Sequence, residues 1–245
     1  MQITGAVALV TGANRGIGRA FVEALIAAGA AKIYAGARNP AALADLAAAH
    51  AGKIEAIKLD ITDAADIAAA AEKCRDVSLL INNAGINRQA GFLAAGDLAH
   101  AQAEMETNYF GPLTMCRAFA PILKANGGGA IVNMLSILAR VNLPMYGSLC
   151  ASKAAALSMT QGVRGELAAQ GTLVVAVMPG ACDTEMEQNF PPPKLAPAEA
   201  ARAALAAVES GTEEIYPGDM AAGINQGLAA DAKAIEKDFA KYLPQ

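Results

Sequence analysis

In the stretch MYGSLCASKAAA, from Met145 to Ala156, one tyrosine and one lysine stand seven residues apart. A phenol beside an ammonium is a proton-handling pair, because the positive charge favours the phenolate and lowers the tyrosine pKa. On a helix, Tyr146 lies about 10 Å along the axis from Lys153, near its face but two turns away. The residue one turn before Lys153 is Leu149, which has no ionisable proton. Pro144 and Gly147 put the helix start close to Tyr146, so packing at the helix entrance or a place in a pocket wall competes with any proton-donating role.

A second group of residues is suited to holding an anion. TGANRGIG (11–18) places Gly12, Asn14, Arg15, Gly16, Ile17 and Gly18 directly after an apolar run. Small residues there let main-chain N–H groups at a helix start approach a pyrophosphate. A tight turn alone would also use glycine, but a position between a strand and a helix favours a dinucleotide. Arg38 stands twenty residues past Gly18, with Ala37 where a carboxylate would accept from a ribose 2′-hydroxyl. Arg15 and Arg38 together suit a 2′-phosphate, which points to NADP(H); two solvated surface arginines are the alternative. Asp60, followed by Ile61, could hold the adenine amino group or merely cap a helix, and Asn83-Ala84-Gly85 could let the cofactor lie close.

The elements that must position these groups are legible as short Val- and Ile-rich runs: 7–12, 32–37, 54–60, 77–83, 130–135 and 172–180. Each is continuous rather than alternating, as in strands buried on both faces. Helical stretches fall between them at 16–29, 40–50, 63–73, 98–125, about 148–169 and 197–209, several with cap signals such as Asn39-Pro40 and Thr62-Asp63. The alternation predicts right-handed βαβ units in an α/β fold: a single doubly wound parallel sheet, Rossmann-like, of about seven strands with helices on both faces. A last short strand is expected within 213–219. Residues 1–245 read as one domain, with a proline-rich flap at 185–197 whose Pro191, Pro192 and Pro193 forbid helix. Ligands of such sheets bind beyond the carboxyl ends of the strands, where every motif above falls.

Composition narrows the partners. With 19 basic and 23 acidic side chains the net charge is −4, and no basic run suits nucleic acid or an anionic membrane. Apolar stretches are cut before they could span a bilayer, and the N-terminus lacks a secretory pattern, so a cytoplasmic protein acting on a small molecule is expected. Cys74, Cys116, Cys150 and Cys182 are scattered and read as reduced, mostly buried thiols, while His50 and His100 end alanine-rich segments. No metal site is expected.

Taken together, TGANRGIG, Asp60, NNAG (82–85), Asn108, Ser136, ASK (151–153) and PGACDT (179–184) make the chain resemble the short-chain dehydrogenase/reductase family over nearly its whole length. The resemblance implies a nicotinamide-dependent oxidoreductase, usually a homo-oligomer, acting on an alcohol or carbonyl. It implies that Ser136 hydrogen-bonds the substrate oxygen, that Lys153 holds the nicotinamide ribose, and that Asn108 completes a proton relay. It also places Pro179, Gly180 and Thr184 by the nicotinamide, with capping the alternative for Thr184. The family pattern sets its proton-donating tyrosine thirteen residues after the serine and four before the lysine. Both counts arrive at Leu149.

Three functions stay open: a carbonyl reductase lacking its tyrosine, a reductase of an imine or activated C=C bond in an apolar pocket, or a cofactor-binding protein without turnover. The first is favoured, since Ser136, Asn108 and Lys153 have no evident purpose in a pure binder. Met145, Met178, Met186 and Phe190 are candidates for an apolar substrate wall, and helices 98–125 and 148–169 for contacts between subunits.

Overall fold

Each apolar run forms a strand; Leu79–Asn82 and Ala130–Met134 are buried throughout because both of their faces are covered, while Lys58 at the end of the edge run stays exposed. The computed structural model describes residues 1–244. Among these, strands β1 (Val7–Thr11), β2 (Lys32–Ala37), β3 (Ile54–Lys58), β4 (Leu79–Asn82), β5 (Ala130–Met134), β6 (Leu173–Val177) and β7 (Glu214–Ile215) form one sheet. Its order is β3-β2-β1-β4-β5-β6-β7, and all pairings are parallel. This is the doubly wound α/β arrangement expected. The order reverses between β1 and β4, and there the carboxyl ends of neighbouring strands open a crevice.

Helices α1 (Gly16–Ala27), α2 (Ala44–Ala49) and α7 (Pro197–Ser210) cover one face, where Phe21, Leu25, Leu46, Ala204 and Val208 pack on Val10, Leu79 and Val175. Helices α3 (Ala64–Lys73), α5 (Gly111–Ala125) and α6 (Gly147–Leu167) cover the other, where Ile67, Phe119, Leu123 and Met159 pack on Leu9, Leu80 and Ile131. Neighbouring strand residues such as Leu79 and Leu80 serve opposite cores. The Asn39 and Asp63 side chains accept from the N–H groups of Ala41 and Ala65, as their cap positions predict.

Several expected boundaries move. The helix expected to run to Gly29 ends at Ala27, with Gly29 at φ 80° and the Ala30 N–H returning to the Leu25 carbonyl. Residues 40–50 divide into a 3₁₀ turn, Pro40–Leu43, and α2. The long helix 98–125 is α4 (Ala99–Met105) and α5 joined by a π turn, Glu106–Phe110. Pro112 supplies the reason: it has no N–H for the carbonyl of Asn108, four residues before it. Helix α8 (Asp219–Phe239), kinked where Asp231 leaves helical geometry, was not expected, because glycines and charges blur its apolar period. No helix among the described residues is long and apolar enough to cross a membrane.

Candidate active site

At the switch between β1 and β4, the strand ends are tied by a hydroxyl. Thr11 Oγ1 accepts from the N–H groups of Asn83 (2.9 Å) and Ala84 (3.0 Å), and Asn83 Nδ2 donates to the carbonyls of Thr11 and Gly12. This seam holds the glycine turn against NNAG. Gly12 and Gly16 have φ of 65° and 52°, a region open mainly to glycine. A Cβ at Gly18 would stand 2.1 Å from the Gly12 carbonyl oxygen, so α1 starts closer to the strand than any side chain permits. The turn is therefore a cradle of main-chain N–H groups at a helix start, which fits a dinucleotide pyrophosphate.

A cavity of about 1210 Å³ runs from this cradle across the carboxyl ends of the strands. Asn14, Arg15, Ile17, Arg38, Asp60, Ile61, Asn83, Ala84 and Gly85 line it. Asp60 Oδ1 accepts from the N–H and hydroxyl of Thr62, making a local turn that fixes the carboxylate at the cavity edge. The two arginines differ. The Arg15 guanidinium pairs with Glu185 across the groove, whereas Arg38 is exposed with no acidic partner among the described residues.

The other end of the cavity gathers Ser136, Leu149, Lys153, Pro179, Gly180 and Thr184. Ser136 caps the short 3₁₀ turn Ile137–Ala139, its Oγ accepting from the Leu138 N–H at 3.2 Å, which leaves the hydroxyl proton free to donate. Lys153 Nζ donates to the Met134 carbonyl at 2.9 Å. Burial pulls its pKa from 10.5 to about 8, against the buried Glu104 carboxylate, which raises it. Thr184 caps nothing with its side chain. Its methyl stands 3.2 Å from where a Gly16 Cβ would be, bringing the glycine turn and the post-β6 loop together.

Asn108 is buried, and its side chain is fully engaged. Oδ1 accepts from the Ile86 N–H (2.9 Å), while Nδ2 donates to the Ile86 carbonyl (3.0 Å) and to Ser152 Oγ (2.9 Å). A Gly85 Cβ would lie 3.1 Å from Asn108 Oδ1 and 3.6 Å from Lys153 Nζ, so the amide and the ammonium flank the same glycine. Pro112, four residues on, has no N–H to offer the Asn108 main-chain carbonyl.

Residues 6–194 match the family model described as short chain dehydrogenase. The chain belongs to the short chain dehydrogenase family. It is an oxidoreductase. A short chain dehydrogenase from Burkholderia cenocepacia J2315, solved in complex with NADP, shares 53% identity at a TM-score of 0.93, over 98% of this chain and 99% of that one. A short-chain dehydrogenase from Sphingobium yanoikuyae in complex with NADPH is 30% identical at a TM-score of 0.78, over 92% and 95% of the two chains. Galactitol 2-dehydrogenase (L-tagatose-forming) of Cereibacter sphaeroides is 40% identical over 192 residues, 76% of this chain and 74% of its own length.

Within this short chain dehydrogenase, Leu149 is buried at the cavity wall and packs with Leu143, Tyr146 and Cys150. Tyr146 also lines the cavity; burial, and then the negative charge of Glu187, push its pKa up. Met145, Met186 and Phe190 reach the cavity as expected, but Met178 does not: it is fully buried against Leu135 and Ala156. All four cysteines are free and buried. Three contributions went unread in the sequence. Glu104 accepts from the Arg88 N–H at 2.6 Å with its second oxygen buried and unpartnered. Glu187 lines the cavity, as do Met220, Ile224, Phe239 and Tyr242 from α8 and the segment after it. Glu104 is four residues before Asn108, a spacing that signals a shared face; Glu187 carried no such signal.

Proposed function

We propose that this protein transfers a hydride between NADP(H) and a carbonyl or alcohol, with Leu149 standing at the position of the general acid and base. The observation that supports this most is the placing of Ser136, Leu149 and Lys153 around one end of a cavity whose other end is the glycine cradle. The cofactor would be held by Gly12, Asn14, Gly16, Ile17 and Gly18 at the pyrophosphate and by Arg38, with Arg15 nearby, at a 2′-phosphate. Asp60 and Ile61 would meet the adenine, Asn83 to Gly85 its middle, and Pro179, Gly180 and Thr184 the nicotinamide. When bound, it supplies or accepts the hydride.

The chain's own residues do the rest. Ser136 donates its hydroxyl proton to the substrate oxygen and holds it in place. Lys153 presents its ammonium to the ribose and, by way of the Asn108 main-chain carbonyl, to water. Leu149 offers no proton, so a substrate oxygen must take one from water, and carbonyl turnover is slow. The buried patch of Leu143, Tyr146 and Leu149 favours a second reading, reduction of an imine or activated C=C bond in an apolar setting. Residues 185–197 form the substrate flap, and the active form is a homo-oligomer in the cytoplasm.

The test compares the protein with its Leu149→Tyr variant for NADPH binding and for NADPH oxidation on ketones, imines and enones. A large gain on ketones supports the first reading. Activity of the original protein that disappears in the variant supports the second. NADPH binding without turnover in either leaves a non-catalytic binding protein.

A further inference from the structure

Beyond the reacting end, the cavity wall is made of Leu143, Met145, Tyr146, Leu149, Phe190 and Phe239. Half-buried Glu187, in the 3₁₀ turn Glu185–Glu187, lines the same cavity. Asn87 Nδ2 donates to its Oε1 at 3.2 Å, joining the flap to the loop after β4. Lys194 Nζ bonds the main-chain carbonyl of Glu187 (3.0 Å) and lies 3.6 Å from Asp183, so its charge is felt by the Glu187 carboxylate without an ion pair between them. No cationic side chain among the described residues pairs with the Glu187 carboxylate. The other acids around the cavity are differently placed: Glu185 pairs with Arg15, Asp238 with Lys241, Asp60 makes its own turn, and Glu106 is exposed.

A charge is not needed for the flap contact, since a neutral amide would accept from Asn87 equally well without the cost of desolvating a carboxylate. The charge itself is what requires an explanation. Tyr146 and Cys182 feel it, and both are held protonated by burial. Burial also raises the Glu187 pKa, opposed by Asn87 and Lys194, and a cation brought beside it would remove that strain.

We infer that Glu187 is a docking site for a positively charged group on the substrate, so that the cavity takes a largely apolar molecule bearing an ammonium a few atoms from its reacting carbon. Glu187, Ser136 and Lys153 line the same cavity, so one molecule can meet the carboxylate and the reacting end together. The inference rests on the proposed redox site only for which end of the molecule reacts.

Calorimetric titration of the full chain with 4-phenylbutylamine and with 4-phenylbutan-1-ol, at neutral pH, with and without saturating NADP⁺, tests it. The amine is expected to bind at least about tenfold more tightly than the alcohol, the value of one charge-assisted hydrogen bond. Glu187→Gln should erase that preference while leaving alcohol and NADP⁺ affinities in place, because the amide keeps the Asn87 contact. Asn87→Ala, which breaks the contact and keeps the charge, should retain it. Equal affinity for amine and alcohol in the unsubstituted protein overturns the inference, as does a preference that survives Glu187→Gln. Failure to bind NADP⁺ would instead overturn the cofactor reading, and the comparison without cofactor would still decide the role of Glu187.

Discussion

The Glu104 carboxylate acts on the Lys153 ammonium from within the protein, without an ion pair between them. Lys153 Nζ is bonded to the Met134 carbonyl, and Glu104 to the Arg88 N–H. Burial lowers the lysine pKa to about 8 from 10.5, and Glu104 opposes that loss. Below about pH 8 the folded protein keeps the ammonium; above it the charge is lost, so NADPH affinity should weaken as pH rises through 8. Between 8 and 10.5 the unfolded chain binds the extra proton, so this group's contribution to stability grows with pH over that window. Cofactor fluorescence across pH checks the first effect. Lys153→Met should flatten the profile, and Glu104→Gln should move its midpoint to lower pH.

Leu149→Tyr restores a phenol one turn before Lys153. A general acid contributes about 10²- to 10⁴-fold in rate, so ketone reduction should rise by that order, chiefly in kcat. Tyrosine is larger than leucine in a buried position beside Leu143 and Cys150, so a modest loss of thermal stability should accompany the gain. Steady-state kinetics and a melting curve measure both. A tyrosine variant that folds, binds NADPH and gains nothing would count against the first reading.

The fold was legible because its strands are buried on both faces and read as unbroken apolar runs, such as VALVT in β1 and LVVAV in β6. The glycine turn was legible because Gly12, Gly16 and Gly18 answer to main-chain geometry that sequence encodes locally. Ser136 was legible only through resemblance, whereas Lys153 stood out by its spacing from Tyr146 and took its place at the ribose from resemblance. Helix α8 was not, since Gly223, Gly227 and Asp231 interrupt its pattern, and its place over the cavity depends on packing that no local signal carries. Glu187 was missed for the same reason: its partner Asn87 is 100 residues away.

Asn108 should prove structural as much as chemical. Asn108→Ala removes both hydrogen bonds to the half-buried Ile86 main chain, leaving its N–H and carbonyl without that partner, while Ser152 keeps its bond to the Leu149 carbonyl. Unfolding free energy should fall by roughly 2–4 kcal/mol, given a cost of about 1–3 kcal/mol for each buried group left unsatisfied. Denaturant titration measures it. Asn108→Asp should restore only the acceptor half, binding the Ile86 N–H while losing the donors.

Cofactor choice should reside in Arg38 more than in Arg15. Glu185 already holds the Arg15 guanidinium, so a 2′-phosphate must compete for it, whereas Arg38 stands at the cavity edge without an acidic partner among the described residues. A hydrogen-bonded charge pair is worth about 1.5–3 kcal/mol, which is roughly ten- to hundredfold in affinity. Arg38→Asp should therefore weaken NADPH by that order or more, since it adds repulsion, and leave NADH little changed. Glu185→Gln, which frees Arg15, should tighten NADPH modestly. Titrating both cofactors against each variant measures the difference, and equal loss of NADPH and NADH in Arg38→Asp would overturn the 2′-phosphate assignment.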